Sequence, residues 1–381
     1  MQYLHKFNTT TEYTTARNNN YSEPWVSYTE DTGKVDYNNL ELANYLTFDV
    51  VGGGRISLKI VDDGPSISKT IEYSINDNEW TTLTVDGPTP KTISVNSGDK
   101  VRFRGDNSSY ANEENDNISY MTFGDSTCVF NLKGNIMSLI SSTNFDKLKT
   151  LTEDCTFYYL FNKCSGLRSA ANLNLPATTL TKMCYSHIFE HTGINEAPVL
   201  PASKLGEYCY DGMFGDCPSL TNIPINYLTA TNLEAGCYQG MFYGTSITTA
   251  PTLFANVIKA NCYTYMFGKC KSLINVPANY LPATTLAQGC YQSMFSNCES
   301  LTQAPELPAT TLVQGCYAYM FTGCKNLNYI KCLATDISAT NCTNYWITDV
   351  PSTGTFVKNS SMTSWTTGNN GIPKSWTVQN A

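Results

Sequence analysis

The sequence predicts a mixed fold: an all-β sandwich, then an α/β solenoid of short repeats, then a C-terminal cap. Three observations predict it. Apolar residues alternate in short runs from Asn44 to Ile140, a unit of about 27 residues recurs from Asp154, and the texture changes again after Cys332. A chain of 381 residues exceeds one ordinary core. The divisions fall at 1–43, an N-terminal attachment arm; 44–142, the sandwich; 143–333, about seven solenoid turns; and 334–381, the cap.

The sandwich is read from "YLTFDV", "RISLKI", "TIEYSI", "WTTLTV", "KTISV", "KVRFRG" and "CVFNLKG". These are period-2 runs of strand length between Gly, Asp, Asn and Pro turns. Seven or so such strands over about 100 residues predict an immunoglobulin-like or related sandwich. "VVGGGRIS" reads as a hairpin turn, since it lacks the Lys-Ser/Thr and the helix of a phosphate loop. "NSSYANEENDN", Asn107–Asn117, reads as a solvated acidic loop; its carboxylates lack the spacing of a calcium-binding EF-hand.

The repeat is marked by Phe161, Phe189, Phe214, Phe242, Phe267, Phe295 and Phe321. An apolar anchor follows each, at Leu167, Ile194, Leu220, Ile247, Leu273, Leu301 and Leu327, and a small or branched apolar residue comes three later. In "CYxxMFxxC" the spacing of Cys209, Met213 and Cys217 predicts a short helix with one inward stripe. The anchor segment reads as a strand that the following proline ends. The predicted core takes Cys209, Met213, Phe214, Cys217 and Leu220; Cys262, Met266, Phe267, Cys270 and Leu273; and Cys290, Met294, Phe295, Cys298 and Leu301. A unit this small buries its apolar face only by stacking, so substitutions in a terminal copy should cost less than central ones.

Fifteen cysteines raise the question of disulfides or metal. Thr192 and Thr245 stand where other copies have Cys164, Cys217, Cys270, Cys298 and Cys324, and Thr156 stands where Cys184 and its equivalents do. A packing slot accepts that exchange, whereas a zinc or disulfide half-site does not, and no pair has zinc-ligand spacing. The start, "MQYLHKFNTTTEYTTARNNN", has no secretory signal pattern, so the thiols are expected to be reduced.

Composition narrows the partners. A net charge of -8 with only 15% charged residues argues against nucleic acid, and no apolar run is long enough for membrane insertion. Catalytic constellations are poor: no nucleophile elbow exists, adjacent Asp62 and Asp63 face opposite ways in a strand, and His187 and His191 read as a surface pair rather than a metal site. No cofactor or metal is expected, and no enzyme activity.

The unit "CYxxMFxxCxSLxxAPxLPATTL" resembles the BspA-like leucine-rich repeats of Bacteroides and its relatives, over about Asp154 to Cys332. The resemblance implies a curved solenoid with a parallel sheet on its concave side, serving adhesion or binding. The first 40 residues, with a helix expected over Thr10–Asn18, resemble a leader element of virion proteins from phages of Bacteroides-type hosts. The expectation is therefore a phage fibre, spike or decoration protein in the virion, held to other virion proteins by its N-terminal region, as a homotrimer or otherwise. Its repeats would meet a host-surface glycan or protein. The alternatives are an exported bacterial cell-surface adhesin and a carbohydrate-active enzyme, which needs a carboxylate pair in a cleft. The outward column Asn222, Thr249, Asn275, Gln303 and Tyr329, rising about 4.8 Å per strand, is the expected binding ladder.

Overall fold

The computed structural model describes residues 44–363 and 365–381. The attachment arm and the helix expected over 10–18 lie outside them. Nine strands build the first region: β1 (Leu46–Gly52), β2 (Gly54–Asp62), β3 (Lys69–Ile75), β4 (Thr81–Val85), β5 (Lys91–Val95), β6 (Lys100–Gly105), β7 (Ala111–Glu114), β8 (Asn117–Thr122) and β9 (Val129–Asn135). Then come β10 (Leu167–Asn174), β11 (Tyr329–Cys332), β12 (Thr355–Lys358) and β13 (Thr377–Asn380). They form three open sheets, ordered β10-β9-β1-β6-β3-β4, β5-β2-β8-β7 and β11-β12-β13.

Four sequence expectations are corrected. The order is not immunoglobulin-like, because β1 and β2 lie in different sheets, whereas that fold pairs its first two strands. For the same reason "VVGGGRIS" is no hairpin; Gly54 instead passes so close to Cys128 that a Cβ would lie 2.9 Å from its backbone nitrogen. The acidic "loop" is the β7–β8 hairpin, closed by Asn115 and Asp116 at φ 52° and 64°, left-handed values that suit a two-residue turn.

The largest correction concerns the repeats. No α-helix occurs among the described residues, only short 3-10 turns at Ile136–Leu139 and Phe145–Lys147, so the α/β solenoid of helices and strands is not what the chain forms. Residues 208–216 show the reason. Tyr208, Gly212 and Asp216 have φ of 53°, 57° and 50°, which breaks a right-handed helix at every fourth residue. Asp211 N–H and Met213 N–H close four-residue turns on the Tyr208 and Tyr210 carbonyls, while Tyr208, Tyr210, Gly212, Phe214 and Asp216 donate to carbonyls of the next repeat. Alternate amides thus point along the chain and across to the neighbour, and both sets are satisfied.

The same left-handed positions recur in eight segments: 155–163, 183–191, 208–216, 236–244, 261–269, 289–297, 315–323 and 341–349. Turn 8, around Cys342 and Trp346, lies within the stretch read from sequence as cap. The fifteen predicted core residues are all fully buried. Two columns of rings run through the stack, one from Phe157 through Tyr185 to Tyr317, the other from Phe161 to Phe321, with neighbouring centroids 5.7–6.2 Å apart.

Both ends of the columns are covered. Tyr110 stacks on Phe157 and Phe123 on Phe161, so the first β region supplies the starting rings. Trp346 stacks on Tyr317 and, on its other face, on Trp365. Strand β10 also joins the first sheet beside β9, making one continuous core.

All fifteen cysteines are free and buried. Their slot is defined by more than size. Cys217, Cys270, Cys298 and Cys324 each direct the thiol at the carbonyl of the Phe one turn earlier, at 3.0–3.1 Å. Thr192 and Thr245 donate instead to the carbonyl of the Phe in their own turn, Phe189 O and Phe242 O, at 2.8 Å. A small side chain carrying a donor is what the position requires, which accounts for the exchange of Cys with Thr.

Candidate functional site

A groove of about 560 Å³ opens where the second sheet meets the first two turns. Its floor is tyrosine. Tyr120 on β8 stacks on Tyr159 at 5.1 Å, and Tyr158 stands edge-on to both. The floor is fixed from below, since Thr122 Oγ1 donates to the Tyr159 carbonyl at 3.0 Å and His187 stacks on the Tyr159 ring at 4.5 Å.

The rim comes from four separate segments. Asp63 follows β2, Asp116 lies in the β7–β8 turn and Asn117 begins β8, Asn162 and Lys163 belong to turn 1, and Glu190 and His191 to turn 2. Asn162 Nδ2 donates to Glu190 Oε2 at 3.0 Å, which orients the carboxylate along the groove. Asp63, Asp116 and Glu190 against Lys163 leave the opening acidic. Burial pushes the Tyr120 hydroxyl up to about 12, with Asp63 and Glu190 adding to the effect, and burial raises Tyr158 and Tyr159 further still. All three phenols therefore stay neutral near pH 7 and both donate and accept.

The two histidines do not form the surface pair read from sequence, because they occupy turn positions rather than a helix. His191 is exposed, whereas His187 is largely buried beneath the groove. Its Nε2 lies 3.5 Å from Asp211 Oδ2 and its Nδ1 3.3 Å from Glu190 Oε1, the latter an ion-pair contact without hydrogen-bond alignment. Burial works to lower its pKa, but Asp211 and Glu190 outweigh that and hold it up at about 9. A cation thus sits under the tyrosine floor.

The predicted binding column lies elsewhere. Asn222, Asn275 and Gln303 are exposed, and Thr249 and Tyr329 are half-buried. It is not a continuous seven-strand ladder: bridges join Ser169 to Glu196, Thr249 to Asn275 and Gln303 to Tyr329. The prolines that follow five of the anchor segments have no N–H with which to extend the pairing. Asn275 Nδ2 is spent on Thr249 Oγ1 at 3.3 Å, and Asn222 Nδ2 on Thr221 Oγ1 at 3.1 Å. None of the five residues lines the groove.

The groove escaped the sequence reading because its residues are up to about 130 positions apart. One local signal existed: "FYYLF" at 157–161 carries two tyrosines where other copies have variable residues. Among the described residues no group of three His, Cys, Asp or Glu side chains is placed to hold a metal ion, and no helix is long and apolar enough to cross a membrane. Comparison of the chain with protein-family models, curated proteins and solved structures finds no match.

Proposed function

We propose that the chain is a non-enzymatic glycan-binding protein and that the tyrosine-floored groove is its binding site. The observation that carries this reading is the combination of three neutral tyrosines with carboxylate and amide acceptors around one opening. Aromatic faces pack against the C–H surface of a sugar ring, and the rim oxygens accept from its hydroxyls. The acidic rim favours neutral or amine-bearing sugars over acidic ones.

The resemblance of the repeat sequence to BspA-like proteins, and of the first residues to virion leader elements, supports display on a phage particle. A bacterial cell-surface adhesin is the second setting. The N-terminal arm would dock to other virion proteins, and a trimeric assembly is part of the same proposal. Mass spectrometry of purified particles tests the setting: absence of the chain from virions overturns it.

The site is tested on a glycan array with Asp63→Ala, Asp116→Ala and Tyr158→Ser. Each exposed or half-exposed change should weaken binding about tenfold or more while leaving the fold intact. Unchanged binding in all three overturns the groove. Because Asp63, Asp116 and Glu190 share it, glycan hydrolysis is the second reading. Release of reducing ends from the bound glycan would replace the first reading with that one.

A further inference from the structure

Turns 5 to 8 carry a second concavity, of about 260 Å³, which the groove does not touch. Its origin is the first left-handed position of each turn. Turn 5 has Asn261 there and turn 8 has Asn341, but turns 6 and 7 have Gly289 and Gly315, at φ 59° and 62°. The missing side chain at Gly315 opens the trough. At Gly289 the Asn261 Oδ1 fills the place a Cβ would take and forms one wall, with Asn341 at the other end.

The lining is uniform in chemistry. Gln288, Gln292, Gln314 and Asn344 complete the walls, and no ionisable carboxylate, amine or imidazole is among the lining residues. At one end Tyr319 and Tyr345 stand parallel, with centroids 5.8 Å apart and planes 15° apart. They are 37% and 48% exposed. Asn344 Nδ2 donates to Tyr319 Oη at 3.2 Å and holds that ring in place.

We propose that this trough binds an extended neutral oligosaccharide, running along the stack and ending on the Tyr319–Tyr345 platform. Primary amides offer donors and acceptors side by side, matching vicinal hydroxyls, and the absence of charge gives no preference for an ionic ligand. A peptide strand fits less well. The Gly289 and Gly315 amides already donate to Gln314 and Thr340, so no free strand edge remains to pair with it. The proposal is independent of the tyrosine groove, which lies at the other end of the stack.

Gly315→Asn is the decisive variant. Asn already occupies the same turn position at Asn261 and Asn341, with φ 56° and 55°. A Cβ at Gly315 meets nothing closer than Gln292 Oε1 at 3.7 Å, so the variant fills the trough without disturbing the backbone. Gln292→Ala with Gln314→Ala is a second variant that removes hydrogen-bonding groups instead of space. The full chain is titrated calorimetrically with hexasaccharides of α-1,4-glucose, β-1,4-glucose, β-1,4-xylose and β-1,4-mannose, and with oligogalacturonate as the anionic comparison. At least one neutral hexasaccharide should bind, and both variants should weaken it about tenfold or more at unchanged melting temperature. Asp63→Ala, in the groove, should leave this binding unchanged. The proposal is overturned if no neutral member binds, if Gly315→Asn removes no neutral binding event that Asp63→Ala spares, or if oligogalacturonate binds as tightly. Loss of that binding in Asp63→Ala alone would move it to the groove and equally overturn the trough.

Discussion

The sandwich and the stacked turns bury similar side chains by opposite backbone strategies. In the sandwich each strand alternates faces, and its amides pair sideways with a neighbour, as in β1 between β6 and β9. In the turns, pairs of inward residues such as Cys209–Tyr210 and Met213–Phe214 are separated by a left-handed residue, and alternate amides reach the next repeat. Cysteine separates the two regions: only Cys128 lies in the sandwich strands, hairpins and connections, while the other fourteen begin at Cys155. Small donor-bearing side chains are needed where turn follows turn at ring-stacking distance, and not where sheet faces sheet.

High pH should expose that difference most. Burial raises every thiol above its ordinary value of 9.0, to about 12 for Cys237, Cys270, Cys290, Cys324 and Cys332. An acid whose folded-state value is raised stabilises the fold below its unfolded value and loses that contribution as pH climbs from 9 toward the folded value. At pH 10 the loss is on the order of 1 kcal/mol for each such thiol. The stack should therefore open between pH 9 and 10, with its thiols alkylated before Cys128. Simultaneous labelling of Cys128 would mean that the two regions unfold as one.

Ring deletion sharpens the comparison at the next scale. Phe267→Ala should cost about 3–5 kcal/mol. Phe161→Ala in turn 1 should cost as much, because Phe123 covers it as fully as a further turn would. This revises the expectation of a weaker terminal copy, and denaturant titration measures both. A clearly smaller cost at Phe161 would show that the sandwich only abuts the stack.

His187 gives a smaller effect of known sign. Its folded value of about 9 exceeds the ordinary 6.5, so its contribution is complete below pH 6.5 and fades as pH rises toward 9. Between pH 6.5 and 8 about 2 kcal/mol should disappear, and His187→Gln should abolish that slope. A slope that persists in the variant assigns it to another group.

The smallest effect tests the cysteine slot. Cys298→Thr keeps a donor, directed as at Thr192 and Thr245 to the Phe carbonyl of its own turn, Phe295 O, and should cost under about 1 kcal/mol. Cys298→Val removes the donor to Phe267 O and should cost about 1–2 kcal/mol. Equal costs would reduce the slot to its volume.

The strands of the sandwich were legible because alternation with period 2 has no competing interpretation over five or six residues. The β7–β8 hairpin was missed because its acidic residues drew attention from the Ile118–Tyr120 alternation around the Asn115–Asp116 turn. In the repeats the core residues were legible and the backbone was not. A turn period of four residues differs from the helical 3.6 by less than half a residue per turn, too little to separate over nine residues. The telling sign was Gly, Asn or Asp at many of the left-handed positions, as in Gly236, Gly240 and Gly244. Neither concavity was legible, since one needs four distant segments and the other opens at a single glycine, Gly315.

The ladder of amides that crosses from each turn to the next has a mechanical consequence. These bonds run along the stack, so tension applied between its ends loads the interfaces in series rather than sharing the force among them. Turns would then detach one at a time, each releasing 25–28 residues, or up to about 90 Å of extended chain. A stack built this way would yield in steps under load rather than all at once.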